Sequence, residues 1–410
     1  MHTELSAAHA HSSTARRAQE IIGKCVHCGF CLATCPTYQL LGNELDSPRG
    51  RIYLIKQMLE GANPSQVTVT HLDRCLTCRA CETTCPSGVQ YGKLVDIGRQ
   101  MLEARPLRGR GERLLRSALG AALSRRTLFA AALRAGQWLR PLLPPALAER
   151  IPARVRAGAA APMARHARRM ILLQGCVQPA LAPNINAAAA RVFDRLGLAL
   201  VTVKEETCCG ALSHHLDATE RALAQARRNV DAWMKFLDAG AEAIVTTASG
   251  CGLMVKDYAE LLRHDPRYAA PAERVSAATR DLCEVLSVAD IAAIVGSSAR
   301  ELRARVAWQS PCTLQHGQKL TGRVEPLLEA AGFSLTPVRD PHLCCGSAGT
   351  YSILQRELAV RLRRAKLATL QAGAPAVIAT ANIGCLQHLA AAAEVPVKPW
   401  IELIDEASAA

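Results

Sequence analysis

Through the C-terminal part of the chain, short apolar runs of strand length alternate with longer segments of helical period. MILLQG (170–175), LALVTV (198–203) and EAIVTTA (242–248) read as buried strands, with helices over 184–196 and roughly 216–238 between them. The same order then returns. RVAWQS (305–310), FSLTPV (333–338) and PAVIATA (375–381) read as strands, and 322–331 and 351–371 as helices. Strands that alternate with helices predict parallel sheets with helices on their faces. The N-terminal part has no strand pattern and reads as helical. In DSPRGRIYLIKQMLEG (46–61), Ser47 can cap a helix whose first residue is Pro48, and Gly61 can end it. Between these parts, leucines and alanines recur among arginines at helical spacing in GERLLRSALGAALSRRTLFAAALRAGQWLRPLL (111–143).

The cysteines sharpen these divisions. Eight of the 17 lie between Cys25 and Cys85, none between 86 and 175, and nine between Cys176 and Cys385. The expected fold class is α+β multidomain, a helical cysteine-rich head followed by a duplicated α/β cysteine-rich body. Its domains are expected at 1–104 for the head, 105–169 for an arginine-rich helical connector, 170–300 for the first cysteine-rich repeat and 301–410 for the second. The duplication rests on matched spacing: Cys176, Cys208-Cys209-Gly210 and Cys251 are followed by Cys312, Cys344-Cys345-Gly346 and Cys385. Only two copies exist, so a pseudo-twofold pair is expected and not a solenoid. Each cysteine falls just beyond a strand's C-terminal end, where open α/β sheets place their sites.

Composition narrows the function. Half of the 410 residues are hydrophobic and 20% are charged, which excludes a disordered chain. Aromatics at 4% argue against base-stacking platforms, and no nucleic-acid partner is expected. The formal charge of +14 is local, since residues 105–169 hold 15 arginines against Glu112 and Glu149 alone. The N-terminal twenty residues lack the apolar core of a secretory signal, and no stretch of 18 uncharged apolar residues occurs. A cytoplasmic chain keeps its thiols reduced, so clustered cysteines there point to metal ligands or catalysts.

Cys25-x2-Cys28-x2-Cys31-x3-Cys35-Pro36 and Cys75-x2-Cys78-x2-Cys81-x3-Cys85-Pro86 carry the strongest chemical signal. In such runs three thiolates wrap one [4Fe–4S] cluster, and the fourth ligates the other cluster in two-cluster ferredoxins. One cluster is therefore expected on Cys25, Cys28, Cys31 and Cys85, and a second on Cys75, Cys78, Cys81 and Cys35. Structural zinc, which pairs two close cysteines with two distant ligands, fits these runs poorly. His27 and Thr77 lie inside the loops, where hydrogen bonds and exposure affect a cluster's potential; the blander reading is an exposed loop residue. The body offers a further candidate site at Cys176, Cys208, Cys209, Cys251, Cys312, Cys344, Cys345 and Cys385. Four soft thiolates per repeat suit Fe–S or zinc, with redox thiols or structural cysteines as rivals. His214, His215, His316, His342 and His388 lie near these cysteines as candidate ligands, proton donors or satisfied loop residues. Cys283 falls outside every pattern and reads as a buried small hydrophobe. No GxGxxG follows a strand and no P-loop is present, so no flavin or nicotinamide site is recognised in this chain.

Two CP-type motifs followed by two CCG repeats resemble the iron–sulfur subunits of bacterial glycolate oxidases (glycolate dehydrogenases). They are similar also to the C subunits of anaerobic glycerol-3-phosphate dehydrogenases, lactate-utilisation iron–sulfur proteins and heterodisulfide reductase subunits. SPRGRIYLIKQMLEG (47–61), GCVQPALAPNIN (175–186) and SPCTLQHGQKL (310–320) resemble the glycolate oxidase branch more specifically. The resemblance implies an electron conduit with no catalytic residue of its own. It would serve FAD-binding dehydrogenase subunits that oxidise glycolate to glyoxylate, and often D-lactate, with a quinone or membrane-surface acceptor. The alternatives are an iron–sulfur subunit of a glycerol-3-phosphate or lactate dehydrogenase, or a CCG-type thiol/disulfide reductase. Ala248 and Asn382 stand where the heterodisulfide reductase motif has a fifth cysteine, which argues against a five-thiolate cluster. An amphipathic helix bearing arginine, with Trp138 near one end, could lie on an anionic membrane or dock an acidic partner. The expected location is cytoplasmic, peripheral on the inner face of the membrane.

Overall fold

The computed structural model describes residues 1–144, 148, 151–159, 166–296 and 304–409. Part of the arginine-rich connector and the expected junction at 300/301 lie outside these residues. The chain forms two compact units. One comprises Met1–Arg116, Ser310–Leu320 and Arg339–Thr369; the other comprises Ser117–Gln309, Thr321–Val338 and Leu370–Ala410.

Both sheets lie in the second unit. Strands β1 (Arg168–Leu173), β2 (Leu198–Val201), β3 (Ile244–Thr246) and β4 (Thr279–Asp281) form one sheet in the order β2-β1-β3-β4. Strands β5 (Arg305–Gln309), β6 (Ser334–Thr336), β7 (Val377–Thr380) and β8 (Val397–Pro399) form the other, in the order β6-β5-β7-β8. Every strand pair is parallel, and the two topologies are the same. The central strands read as continuous apolar runs because helices cover both of their faces. Ile171, Ile244, Val245, Val306, Ala307 and Ile378 are fully buried. The fourth strand of each sheet was not expected from the sequence: TRD and VKP are three residues long and carry no apolar run.

Helices fall close to their expected places. The segment 184–196 forms Asn184–Arg195, which buries Ile185, Ala188, Ala189, Val192 and Phe193 at the i, i+3, i+4 spacing of one helical face. The segment 216–238 forms the long helix Thr219–Asp238, which the short Ala211–His215 precedes. The C-terminal helix Trp400–Ala409 brings Asp405 to Arg191 (2.6 Å) and Arg195 (2.8 Å) of the Asn184–Arg195 helix.

In the first unit, the helix Pro48–Leu59 begins as its sequence predicts. The Ser47 hydroxyl accepts from the Gly50 amide at 2.9 Å, and Gly61 follows the helix end at φ +100°. Gly50 has a further reason to be glycine: a Cβ there would lie 2.1 Å from the Glu44 carbonyl oxygen. This helix packs with Ser13–Gly23, Gln66–Asp73 and Tyr91–Glu103 around a core that includes Ile22, Ile55, Leu59, Leu72, Leu94 and Val95.

Candidate iron–sulfur sites

Each cysteine run folds as a loop followed by one short helix, Phe30–Thr34 or Ala80–Thr84. The loops need left-handed backbone at matched positions. His27 (φ 58°) and Thr77 (φ 50°) precede the middle cysteine, and Gly29 (φ 83°) and Arg79 (φ 60°) follow it. This local winding turns successive cysteines toward one volume. Pro36 then starts a new helix, which carries the fourth cysteine away from its own run.

Cys25, Cys28, Cys31 and Cys85 line one open cleft of about 450 Å³, and Cys81 of the second run reaches it as well. Burial and the neighbouring Cys25 and Cys35 push the Cys31 thiol up to about 11. In the other group, burial raises the Cys81 thiol first, followed by Cys78, Cys75 and Cys35. Cys35 thus acts on Cys31 of the first run as well as on Cys81 of the second, and Cys85 shares the cleft of the first run. Buried thiols this close oppose one another's ionisation, and a bound cationic centre removes that opposition. Soft thiol donors of this kind fit iron–sulfur clusters.

The second group is set in polar contacts that sequence reading missed. Arg51 is 1% exposed, and its guanidinium lies 4.0 Å from Cys35 Sγ. It donates to the His71 carbonyl (2.7 Å), Thr37 Oγ1 (3.0 Å) and Asp46 (3.5 Å). The Asp46 carboxylate also receives His71 Nδ1 (2.9 Å) and Arg74 (3.0 Å). Burial disfavours the Arg51 charge, but Tyr91, Cys75, Cys35 and Asp46 more than offset it and raise its pKa. Tyr91 donates its hydroxyl to Cys75 Sγ at 3.6 Å. The one signal available was Arg51's place in SPRGR, yet an arginine on a capped helix reads as solvent-facing until its partners are known.

In the first cysteine-rich repeat, all four cysteines meet. Cys208 donates to Cys176 at 3.5 Å, Cys208 bonds with Cys209, and Cys209 with Cys251. The Cys208 contact and then burial raise the Cys176 thiol far above its ordinary value. The loop after Cys176 is held by Gln178, which donates to Asn186 (2.8 Å) and to Thr247 (2.6 Å) just beyond β3. Three residues of the GCVQPALAPNIN region are thereby explained.

In the second repeat, Cys312 and Cys344 lie in the unit that holds the two runs. The Cys312 thiol bonds with Cys344 and with Cys78, and both contacts push it up ahead of burial. The Cys312 contact lowers the Cys344 thiol, but Cys345 and burial outweigh it and raise Cys344 to about 12. Gln315 of SPCTLQHGQKL donates to the Ser310 (2.9 Å) and Pro341 (3.1 Å) carbonyls and ties this loop to the approach of the CCG doublet. Gly346, at φ +91°, is required on two counts: a Cβ there would be strained and would lie 2.7 Å from the Ala359 carbonyl oxygen. Cys385 lies on the helix Ile383–Ala390, in the unit that holds the sheets.

The remaining candidates have plain roles. His316 donates from Nε2 to the His342 carbonyl (3.0 Å), which leaves Nδ1 to accept from the Thr83 hydroxyl (3.0 Å). It is a satisfied residue beside the second run. His214 and His215 end the Ala211–His215 helix, and His388 lies in Ile383–Ala390. Cys283 is buried, as expected of a small hydrophobe. Asn382 caps its helix by accepting from the Gly384 amide (2.8 Å), and its side chain donates to Ser249 (3.2 Å). Where the longer motif has a fifth cysteine, this chain has a helix cap.

The arginines of 105–169 are partly engaged within the fold. Arg108 pairs with Asp73, Glu103 and Glu112, and Arg116 with Asp73. Arg126 donates to the Gly175 carbonyl (3.1 Å), Gln174 (2.9 Å) and the buried Glu206 (2.7 Å). A uniform basic stripe is therefore corrected to a mixed one, in which Arg125 and Arg134 are exposed.

Comparison with known proteins agrees with this arrangement. Residues 21–89 match the 4Fe-4S dicluster domain family, and residues 170–256 and 306–390 each match the Cysteine-rich domain family, CCG. The chain is 50% identical over 407 residues to the glycolate oxidase iron-sulfur subunit of Escherichia coli K12, covering 99% of both chains. It is 30% identical over 395 residues to a probable glycolate oxidase iron-sulfur subunit of Bacillus subtilis 168, covering 89% of this chain and 87% of that one. It is also 27% identical over 226 residues to lactate utilization protein A of an Exiguobacterium species, covering 52% of this chain and 85% of that one. With four-iron clusters supported in the head and the cysteine-rich domain present twice, the chain belongs to the family of glycolate oxidase iron-sulfur subunits.

Proposed function

We propose that this chain is the electron-transfer subunit of a flavin-dependent glycolate dehydrogenase. Cys25, Cys28, Cys31 and Cys85 would hold one [4Fe–4S] cluster, and Cys75, Cys78, Cys81 and Cys35 the other. When bound, the clusters supply one-electron steps. Oxidation of glycolate to glyoxylate removes a hydride and a proton, so its electron pair must be divided elsewhere, and FAD in a partner subunit suits that task. The chain's own residues would hold the clusters, shield the second with Arg51 and Tyr91, and direct electrons toward the cysteine-rich body. A quinone acceptor takes up two electrons and two protons to close the balance. On this reading the isolated chain does not oxidise substrate.

The meeting of cysteines from both runs, with Cys85 in the cleft of the first and Cys35 acting on Cys81 of the second, supports the two-cluster reading above all. The Cys35→Ser variant is expected to disturb the cluster on Cys75, Cys78 and Cys81. EPR or Mössbauer spectra showing loss confined to the cluster on Cys25, Cys28 and Cys31 would refute the crossing. Anaerobic purification with neighbouring subunits, followed by glycolate addition, tests the assignment as a whole. D-Lactate and glycerol 3-phosphate serve as the alternative substrates, and disulfide reduction by the isolated chain would favour a thiol reductase.

A place on the inner face of the membrane also belongs to this proposal. Among the described residues, no helix is long and apolar enough to cross a membrane. Helix Arg126–Leu139 and the turn after it expose Leu128, Trp138, Leu139 and Leu142, with Arg125 and Arg134 exposed nearby. Such a helix can lie in an anionic interface. Charge reversal at Arg125 and Arg134 should weaken binding to anionic vesicles. Arg126 is left out of that test because Glu206 already holds it.

A further inference from the structure

The two cysteine runs are one device built twice, and their unit covers them unequally. Val26 and Leu76 each follow the first cysteine of a run, and Phe30 and Ala80 each precede the third. Val26 is 68% exposed and Phe30 61%, against 5% for Leu76 and 1% for Ala80. Cys28 is exposed, whereas its counterpart Cys78 is half-buried. The cover on the second run is visible: Leu76 and Cys78 pack with Cys312, Cys344, Tyr351 and Leu358. The molecule thus shows what such a face accepts, namely an apolar segment that carries redox-capable groups of its own.

We propose that the loop Lys24–Phe30 is the docking surface of the electron-donating flavoprotein subunit. The inference rests on the functional reading above and adds the place of entry. A line of carriers has two ends. Cys312 occupies the end at Cys78, which leaves the end at Cys28 for another chain. Apolar Val26 and Phe30 stand at the mouth of the cleft lined by Cys25, Cys28, Cys31 and Cys85, where a covering partner would bring its cofactor near that cleft. Charge defines the partner's surface further. No acidic residue occurs between Glu20 and Glu44, and Lys24 is exposed within that stretch. The matching surface on the flavoprotein is an apolar patch with an acidic rim.

The test uses the full chain, co-expressed with its flavoprotein partner, carrying Val26→Asp with Phe30→Asp. Iron and sulfide content and the dithionite-reduced EPR spectrum should be unchanged. Cluster reduction by glycolate through the partner should fall by roughly a hundredfold, as expected when a central interface anchor is lost. Phe30→Ala is the second variant, and the loop accommodates it because Ala80 fills the equivalent position in the other run. Its rate should fall by roughly tenfold. Unchanged reduction by glycolate in both variants would overturn the proposal. So would intact reduction by glycolate with lost delivery to a quinone analogue, because the face would then be an exit. Should the unmodified complex fail to reduce its clusters with glycolate, the functional reading falls by itself. Co-purification of the flavin-bearing subunit then decides the docking surface, its loss from the double variant supporting the proposal and its retention overturning it.

Discussion

The two cysteine-rich repeats share a topology and a cysteine spacing, yet they are wired differently. In the first, Cys176, Cys208, Cys209 and Cys251 all lie in the unit that holds its own sheet, and they bond in sequence with one another. In the second, residues 310–320 and 339–369 fold with the ferredoxin-like head, and Cys312 bonds with Cys78. Duplication supplied the same chemistry twice, and packing gave the second copy a contact with a candidate cluster ligand. The neighbourhoods diverged as well. By the spacing of the two doublets, Glu206 of the first repeat corresponds to His342 of the second. Glu206 is a buried anion held by Arg126 and by Trp233 (3.4 Å), whereas His342 contributes its carbonyl to His316.

The largest expected effect separates the repeats directly. Serine at Cys344 and Cys345 should cut electron delivery to a quinone analogue by roughly a hundredfold, the upper range for disturbed metal surroundings. Flavin reduction by glycolate in the partner should survive. Serine at Cys208 and Cys209 should have the smaller effect on delivery. Equal losses in the two double variants, measured by stopped-flow reduction, would break the comparison. Unchanged metal content and undiminished delivery in both would leave the doublets as structural thiols.

A middle-sized effect concerns stability. Burial raises the Glu206 carboxyl against the pull of Arg126, so the test removes the acceptor and not only its charge: Glu206→Ala leaves Arg126, Trp233 and the Gln174 amide without it. Breaking a buried pair costs about 3–5 kcal/mol; because Arg126 is partly exposed, about 1–3 kcal/mol is expected here. Denaturant unfolding should show that loss while the cluster EPR spectrum stays unchanged. A shifted EPR spectrum would mean that this residue reaches the head.

The smallest effect is a pH dependence confined to the first repeat. Asp281 ends β4 at the register position where β8 has Pro399. Burial raises its carboxyl to about 6 from an ordinary 3.8. The folded state therefore holds this proton more tightly than the unfolded chain does. Its contribution falls as pH rises from about 4 to about 6, and the penalty is complete above that window, up to about 3 kcal/mol. Asp281→Asn should remove this dependence, with more gain in melting temperature at pH 7.5 than at pH 4. Equal gains at both values would show that the carboxyl ionises normally.

Much of the candidate site was legible because its signals are local. The spacing of the two CP runs announced the 4Fe-4S dicluster domain that residues 21–89 match. Ser47 and Pro48 located a helix start, and apolar runs located six strands. β4 and β8 escaped because three-residue strands at sheet edges need few apolar side chains, and β8 ends in a proline that an edge tolerates. Long-range pairing was equally hidden. Arg108, Arg116 and Arg126 looked like members of a surface stripe because Asp73 and Glu206 lie far away in sequence. Arg51 drew no reading of its own, because Thr37, Asp46 and His71, which hold it, come together only in the fold. The bond between Cys312 and Cys78 spans most of the chain, and no spacing rule foretells it.

The discontinuous head has a consequence for biogenesis. Its first 116 residues leave the ribosome long before the segments 310–320 and 339–369 that complete it. Until then Leu76 and Cys78 stand as bare as Val26 and Cys28, and both runs are open to the machinery that delivers iron and sulfide. Once Cys312, Cys344 and Tyr351 have closed over the second run, the first is the more accessible from outside. The cover on the second run is therefore a late feature of synthesis, whereas Val26 and Cys28 of the first stay exposed in the folded chain.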